Sequence, residues 1–151
     1  MYLAFSIQIA MQSNLLQIKN LTVSFSQKSK VVNQISFTIG KGEVMGIVGE
    51  SGSGKTVSSL ALMQLISNAK ISADELFFYK DDAAPIDLLR ASTDEMQKIR
   101  GKEIAMIFQN PMTSFNPVYT CGEQVMEAIL VHQSISKKEA KLKTIEWFTK
   151  V

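Results

Sequence analysis

The sequence predicts an α/β fold: an antiparallel β part, a partial parallel core sheet, and helices at the loops between and after them. Three patterns carry that prediction. Apolar residues alternate from Leu16 to Ile39, two short runs at 44–48 and 104–108 are almost wholly apolar, and Ser/Thr-x-x-Glu tetrads precede segments with helical spacing.

Leu16 and Ile18, then Leu21, Val23 and Phe25, recur at period two, with a change of phase at Lys19-Asn20. This reads as a half-buried strand with a kink. After the polar turn QKSK, Ile35, Phe37 and Ile39 alternate in the same way, so the two runs predict an antiparallel pair with one dry and one wet face. Val44, Met45, Ile47 and Val48 instead predict a strand covered on both faces. A glycine-rich loop follows. Beyond it, Leu62, Leu65, Ile66 and Ala69 fall at i, i+3, i+4 and i+7 and predict a helix.

LFFY at 76–79 predicts a further strand, and Asp81, Asp82 and Pro85 a loop. Ser92 and Glu95 form a capping box before a short polar helix running towards Arg100. IAMIF, 104–108, predicts a second buried strand ending at Gln109. Thr120/Glu123 and Ser136/Glu139 are two more capping boxes, opening helices expected to bury Val125, Ala128 and Ile129, and Leu142, Ile145 and Phe148.

The chain has 151 residues, 46% hydrophobic and 20% charged, with a net charge of +2. That length suits one modest domain, and the charge gives no reason to expect nucleic acid as a partner. The single cysteine, Cys121, excludes an internal disulfide and fits a reducing compartment. Residues 1–14 read as an N-terminal extension: apolar, with no charge before Lys19, too short to span a membrane and without the basic start of a signal peptide. Met11 is an alternative start.

The strongest motif is GESGSGKT, Gly49 to Thr56, which fits G-x-x-x-x-G-K-[ST] between a buried strand and a helix. Glycines let consecutive backbone N–H groups turn towards phosphate oxygens, and the helix N-terminus adds partial positive charge at the same place. Lys55 supplies a full charge for the β- and γ-phosphates, and the Thr56 hydroxyl is a Mg²⁺ ligand.

GEVMGIVGESGSGKTVSSLALM followed by EIAMIFQNPMTSFNP resembles the ATP-binding subunits of ABC importers, and within them the dipeptide and oligopeptide permease ATPases, which also include nickel carriers. GESGSGK and QNPMTSFNP are the specific parts, and MEAILVHQ is similar to the dipeptide branch. The resemblance covers about Leu15 to Val151. It implies a P-loop NTPase fold of the ABC ATPase type, with 15–151 as the N-terminal part of a nucleotide-binding domain. It implies ATP and Mg²⁺ as cofactors, with Gly49, Glu50, Ser51, Gly52, Ser53, Gly54, Lys55, Thr56 and Val57 around the phosphates.

By the same resemblance Phe25 stacks on adenine, and Gln109 begins the Q-loop, contributing to Mg²⁺ and to sensing the γ-phosphate. A neutral amide suits a ligand that joins and leaves the ion as the loop moves. Gln109 to Pro117 would face membrane-spanning permease subunits. A second ATP-binding subunit, identical or not, would close head to tail on this one, and an external solute-binding protein would act indirectly. The place implied is the cytoplasmic face of the bacterial inner membrane, and the activity is ATP hydrolysis driving uptake of di- or oligopeptides.

The family's ATPases also need an LSGGQ-type signature, an apolar strand ending in Asp-Glu and a histidine switch, and none of these follows Gln109 in this sequence. The expectation is therefore a truncated domain in which the two buried-type strands lack their sheet neighbours, with no turnover by this chain alone. Other readings of the P-loop are a truncated binding remnant or interaction module, a small-molecule kinase, or a DNA-repair ATPase. A kinase lid needs several arginines, but the chain has only Arg90 and Arg100. His132 reads as a helix-surface residue and the lysines 137, 138, 141 and 143 as a solvated helix face, while Cys121, in a helix's first turn, has no histidine partner near it in sequence that would make it a nucleophile.

Overall fold

A computed structural model describes residues 13–26, 29–81, 83–109 and 115–151. The chain forms two compact units, Met1–Met96 and Gln97–Val151.

The first unit is built on the alternating runs. Strand β1 (Asn14–Ser26) pairs antiparallel with β2 (Ser29–Gly40), matching Leu16 with Ile39, Ile18 with Phe37, Leu21 with Ile35 and Val23 with Val32. Between the second and third of these pairs β1 advances three residues against two in β2. Between the third and fourth, β2 advances three against two. β1 thus bulges at the first of these steps and β2 at the second, and the two offset each other, so the apolar residues on either side stay on one face, while further register shifts lie towards the two ends of the ladder. Asn20 (φ 54°) and Gln34 (φ 52°) take the left-handed backbone the bulges need. Their N–H groups donate to the side-chain oxygens of Ser36 (2.9 Å) and Thr22 (3.2 Å). The expected kink at Lys19-Asn20 is the first bulge.

Strand β3 (Lys70–Ser72) and β4 (Glu75–Phe78) both pair with β1, and β5 (Ile86–Asp87) pairs with β4, giving the order β2-β1-β4-β5 with every ladder antiparallel. Ile18, Leu21, Val23, Val32, Leu76, Phe78 and Leu88 are buried. Helix α1 (Lys55–Leu62) touches β1 and β2 and buries Ser58 and Ala61.

The expected parallel core sheet is not formed among the described residues. Residues 43–50 carry no strand, and Val44 and Val48 are 97% and 95% exposed. IAMIF contributes only a local bridge from Ile104 to Arg100, and Ile107 is 95% exposed. A strand apolar on both faces needs ladder partners on both edges and a layer on each side. Among the described residues the five strands pair only with one another and supply neither.

Helix α1 is also shorter than its periodicity suggests. It ends in a Schellman turn, with Leu65 N–H donating to Leu60 O (2.9 Å) and Gln64 N–H to Ala61 O (3.1 Å). Gln64 holds the left-handed position at φ 48°. Its amide nitrogen donates to the backbone oxygens of Leu88 (2.7 Å) and Ala91 (3.2 Å), contacts that favour stopping over continuing.

All three capping boxes form. Ser92 and Glu95 open α2 (Thr93–Ile99), Thr120 and Glu123 open α3 (Cys121–His132), and Ser136 and Glu139 open α4 (Lys137–Lys150). In the second unit α3 packs on α4, but the expected faces are buried only in part. Val125 and Ile129 are half-buried and Ala128 is exposed, while Leu142, Ile145 and Phe148 are exposed. The residues α4 buries are Ala140 and Thr144. The Phe148 ring still meets α3, 3.9 Å from where a Cβ on Gly122 would stand.

Candidate phosphate-binding site

The loop between Gly49 and Thr56 is shaped by its glycines and closed by its lysine. Ser53 N–H donates to Glu50 O (3.3 Å) across a turn whose third residue, Gly52, has φ +81°. Only glycine takes that angle without strain. Gly54, at φ +90°, is the N-cap of α1. Its carbonyl accepts from both Ser58 N–H (2.8 Å) and the buried Ser58 hydroxyl (3.0 Å), which fixes the first helical turn to the loop.

No side chain caps this end of α1, and its first turn carries no acidic residue. Its leading N–H groups and the positive end of its dipole are therefore not neutralised by the helix's own side chains. The Lys55 ammonium donates to the backbone oxygens of Gly49 and Glu50, both at 2.7 Å, and to Ser53 Oγ at 3.2 Å. A full positive charge, a helix N-terminus and a glycine-shaped backbone thus meet in eight residues. That donor set suits a polyphosphate anion. Thr56 is exposed and Val57 half-buried.

Phe25 is 48% exposed near the end of β1. Two residues before it, Val23 pairs with Val32. A Cβ built on Gly54 would stand 3.1 Å from Val32 Cγ2. The β1–β2 ladder therefore brings the Phe25 end of the sheet to the side of the loop.

Gln109 lies in the second unit, exposed at a bend. Asn110 to Ser114 fall outside the described residues. Phe115 is exposed, and the segment after it is tied to α3 by Gln124. The Gln124 side-chain oxygen accepts from Asn116 N–H (2.9 Å), and its amide donates to the backbone oxygens of Asn116 (3.0 Å) and Tyr119 (3.1 Å). Gln124, Ser58 and Gln64 were not singled out by the sequence. Ser58 and Gln124 are polar residues in the first turns of α1 and α3, and Gln64 stands just past the end of α1, places that no apolar period marks.

His132 is half-buried, with Nε2 3.1 Å from where a Cβ on Gly101 would stand, and Cys121 is exposed. Among the described residues no helix is long and apolar enough to cross a membrane.

A family model described as ABC transporter matches residues 32–150. The chain is 47% identical over 136 residues to the dipeptide transport ATP-binding protein DppD of Haemophilus influenzae, covering 87% of this chain and 40% of that protein. It is 43% identical over 132 residues to the glutathione import ATP-binding protein GsiA of Escherichia coli K12, covering 84% of this chain and 21% of that protein. The Shigella boydii protein of the same description is 44% identical over the same length. The chain thus spans about a fifth to two fifths of the length of these relatives. Since the matched span takes in most of the chain, including the glycine loop, α1 and the Gln109 segment, the chain belongs to the ABC transporter family.

Proposed function

We propose that this chain supplies the ATP-binding part of an ABC importer that couples ATP binding and hydrolysis to uptake of di- or oligopeptides. The observation that carries the reading is the loop at 49–56, where Lys55 bridges two carbonyls beside an uncapped helix N-terminus. Relatives described as a dipeptide transport and a glutathione import ATP-binding protein support the peptide class of solute.

In this reading the backbone of Gly49 to Val57 and the Lys55 ammonium hold the phosphates. Phe25, exposed and beside the loop, stacks on the adenine. Among the described residues no three His, Cys, Asp or Glu side chains form a ready-made ion site. Mg²⁺ would be held by phosphate oxygens with the Thr56 hydroxyl, and the family resemblance offers the Gln109 amide as a further ligand. When bound, the ion neutralises charge developing on the phosphates. Gln109 to Pro117 would meet the permease subunits at the cytoplasmic face of the inner membrane, with a second ATP-binding subunit alongside and the solute-binding protein acting indirectly.

This chain's own residues account for phosphate binding, and no general base is assigned among them. The test is equilibrium titration of the chain with Mg-ATP, against Lys55→Ala. Saturable binding that weakens at least tenfold in the variant is expected. Equal binding, or none, by both chains would sink the reading.

A further inference from the structure

We propose that Ser53 is a positioning residue for Lys55, its hydroxyl fixing where the ammonium stands to meet a polyphosphate. The inference rests on the nucleotide-binding reading above and adds a role for a side chain that the loop motif leaves unspecified.

Lysine carries its charge on a flexible four-carbon stem, and ordering that stem opposes binding. Two of the three Lys55 acceptors are backbone oxygens, of Gly49 and Glu50, and come with the loop. The third is the Ser53 hydroxyl at 3.2 Å. That hydroxyl is itself confined. The N–H of Ser53 is tied to Glu50 O, and a Cβ on Gly49 would stand 2.8 Å from Oγ, so the hydroxyl occupies the space left by the missing side chain of Gly49. The result is a closed set of contacts, Gly49 to Ser53 to Lys55 and back to Gly49. A charge arranged before the ligand arrives loses less freedom when it binds.

Ser53 is exposed and not part of the core. Replacing it leaves the packing intact, so binding and folding can be separated. The experiment is a double-mutant cycle on the full chain: Ser53→Ala, Lys55→Ala and both together, with Ser53→Thr as the conservative variant. Mg-ATP affinity is measured by calorimetry and the unfolding midpoint by circular dichroism.

Ser53→Ala is expected to weaken binding roughly three- to tenfold at an unchanged midpoint. Ser53→Thr, which keeps the oxygen, should restore affinity, and Ser53→Ala should cost nothing further on the Lys55→Ala background. Wild-type affinity in Ser53→Ala, or the same loss with and without Lys55, overturns the inference while leaving nucleotide binding in place. Absence of binding by the unsubstituted chain overturns both.

Discussion

The Cα of Gly54 stands against the backbone oxygen of Val31, so that a methyl added there would lie 2.7 Å from it. The contact joins the phosphate loop to the second strand of the sheet, and side-chain absence makes it possible. Its φ of +90° adds a second reason for glycine. Gly54→Ala is therefore expected to destabilise the chain by about 2–4 kcal/mol, from backbone strain and overpacking together. Gly52 is a built-in comparison: its φ is +81°, but nothing lies within 4 Å of an added Cβ. Gly52→Ala should cost only about 1 kcal/mol. Urea denaturation of both variants checks the difference, and equal losses would remove the Val31 contact from the explanation.

Phe25 ends the series Leu21, Val23, Phe25, yet the first two are fully buried and Phe25 is 48% exposed. A core role predicts loss of stability on truncation, whereas an adenine shelf predicts loss of affinity alone. Phe25→Ala is expected to weaken ATP binding by roughly three- to tenfold, the range of an aromatic stacking contact. Inorganic triphosphate, which has no ring to stack, should bind both chains equally. A large drop in unfolding midpoint with unchanged ATP affinity would return Phe25 to the core.

Gln64 holds a left-handed backbone at φ 48° and two side-chain hydrogen bonds, to Leu88 O and Ala91 O. These effects oppose each other on substitution. Gln64→Gly relieves the backbone and loses the bonds, while Gln64→Ala keeps the backbone cost and loses them too. The alanine variant should be less stable than the glycine variant by about 1 kcal/mol. The reverse order in thermal unfolding would mean that α1 does not end in this turn.

What could be read from the sequence was whatever depends on neighbours a few residues away. Capping boxes at Ser92, Thr120 and Ser136 need only a hydroxyl and a glutamate three residues on, and all three form. The alternation in β1 and β2 identified a half-buried pair because a single sheet face satisfies it. The glycine loop was legible for the same reason, since its turn and N-cap are local. Runs such as Val44–Val48 say that both faces want cover but not which strands provide it, and here the sheet present is wholly antiparallel. The end of α1 is set by Leu88 and Ala91, more than twenty residues away in sequence, and no period-3.6 pattern contains them. On α4 the apolar stripe suggested a buried face, but the residues buried are Ala140 and Thr144, while Leu142, Ile145 and Phe148 stay exposed.

The capping boxes of α3 and α4 should make the second unit acid-sensitive. Hydrogen bonds from the backbone and hydroxyl of Thr120 hold the Glu123 carboxyl below the ordinary glutamate range, and the hydroxyl and backbone of Ser136 do the same for Glu139. A depressed carboxyl stabilises the folded form while it is charged. Its contribution is full above the ordinary glutamate value of about 4.3 and fades as pH falls through the lower folded value. Helicity at 222 nm should therefore be flat from neutral pH to about 5 and decline at lower pH. Glutamine can still accept the cap bond but cannot titrate. The double variant Glu123→Gln, Glu139→Gln should keep its helices at neutral pH and show a shallower acid decline than the parent. Identical acid profiles for the two chains would show that the caps do not govern acid stability, and a profile rising towards low pH would reverse the assigned sign.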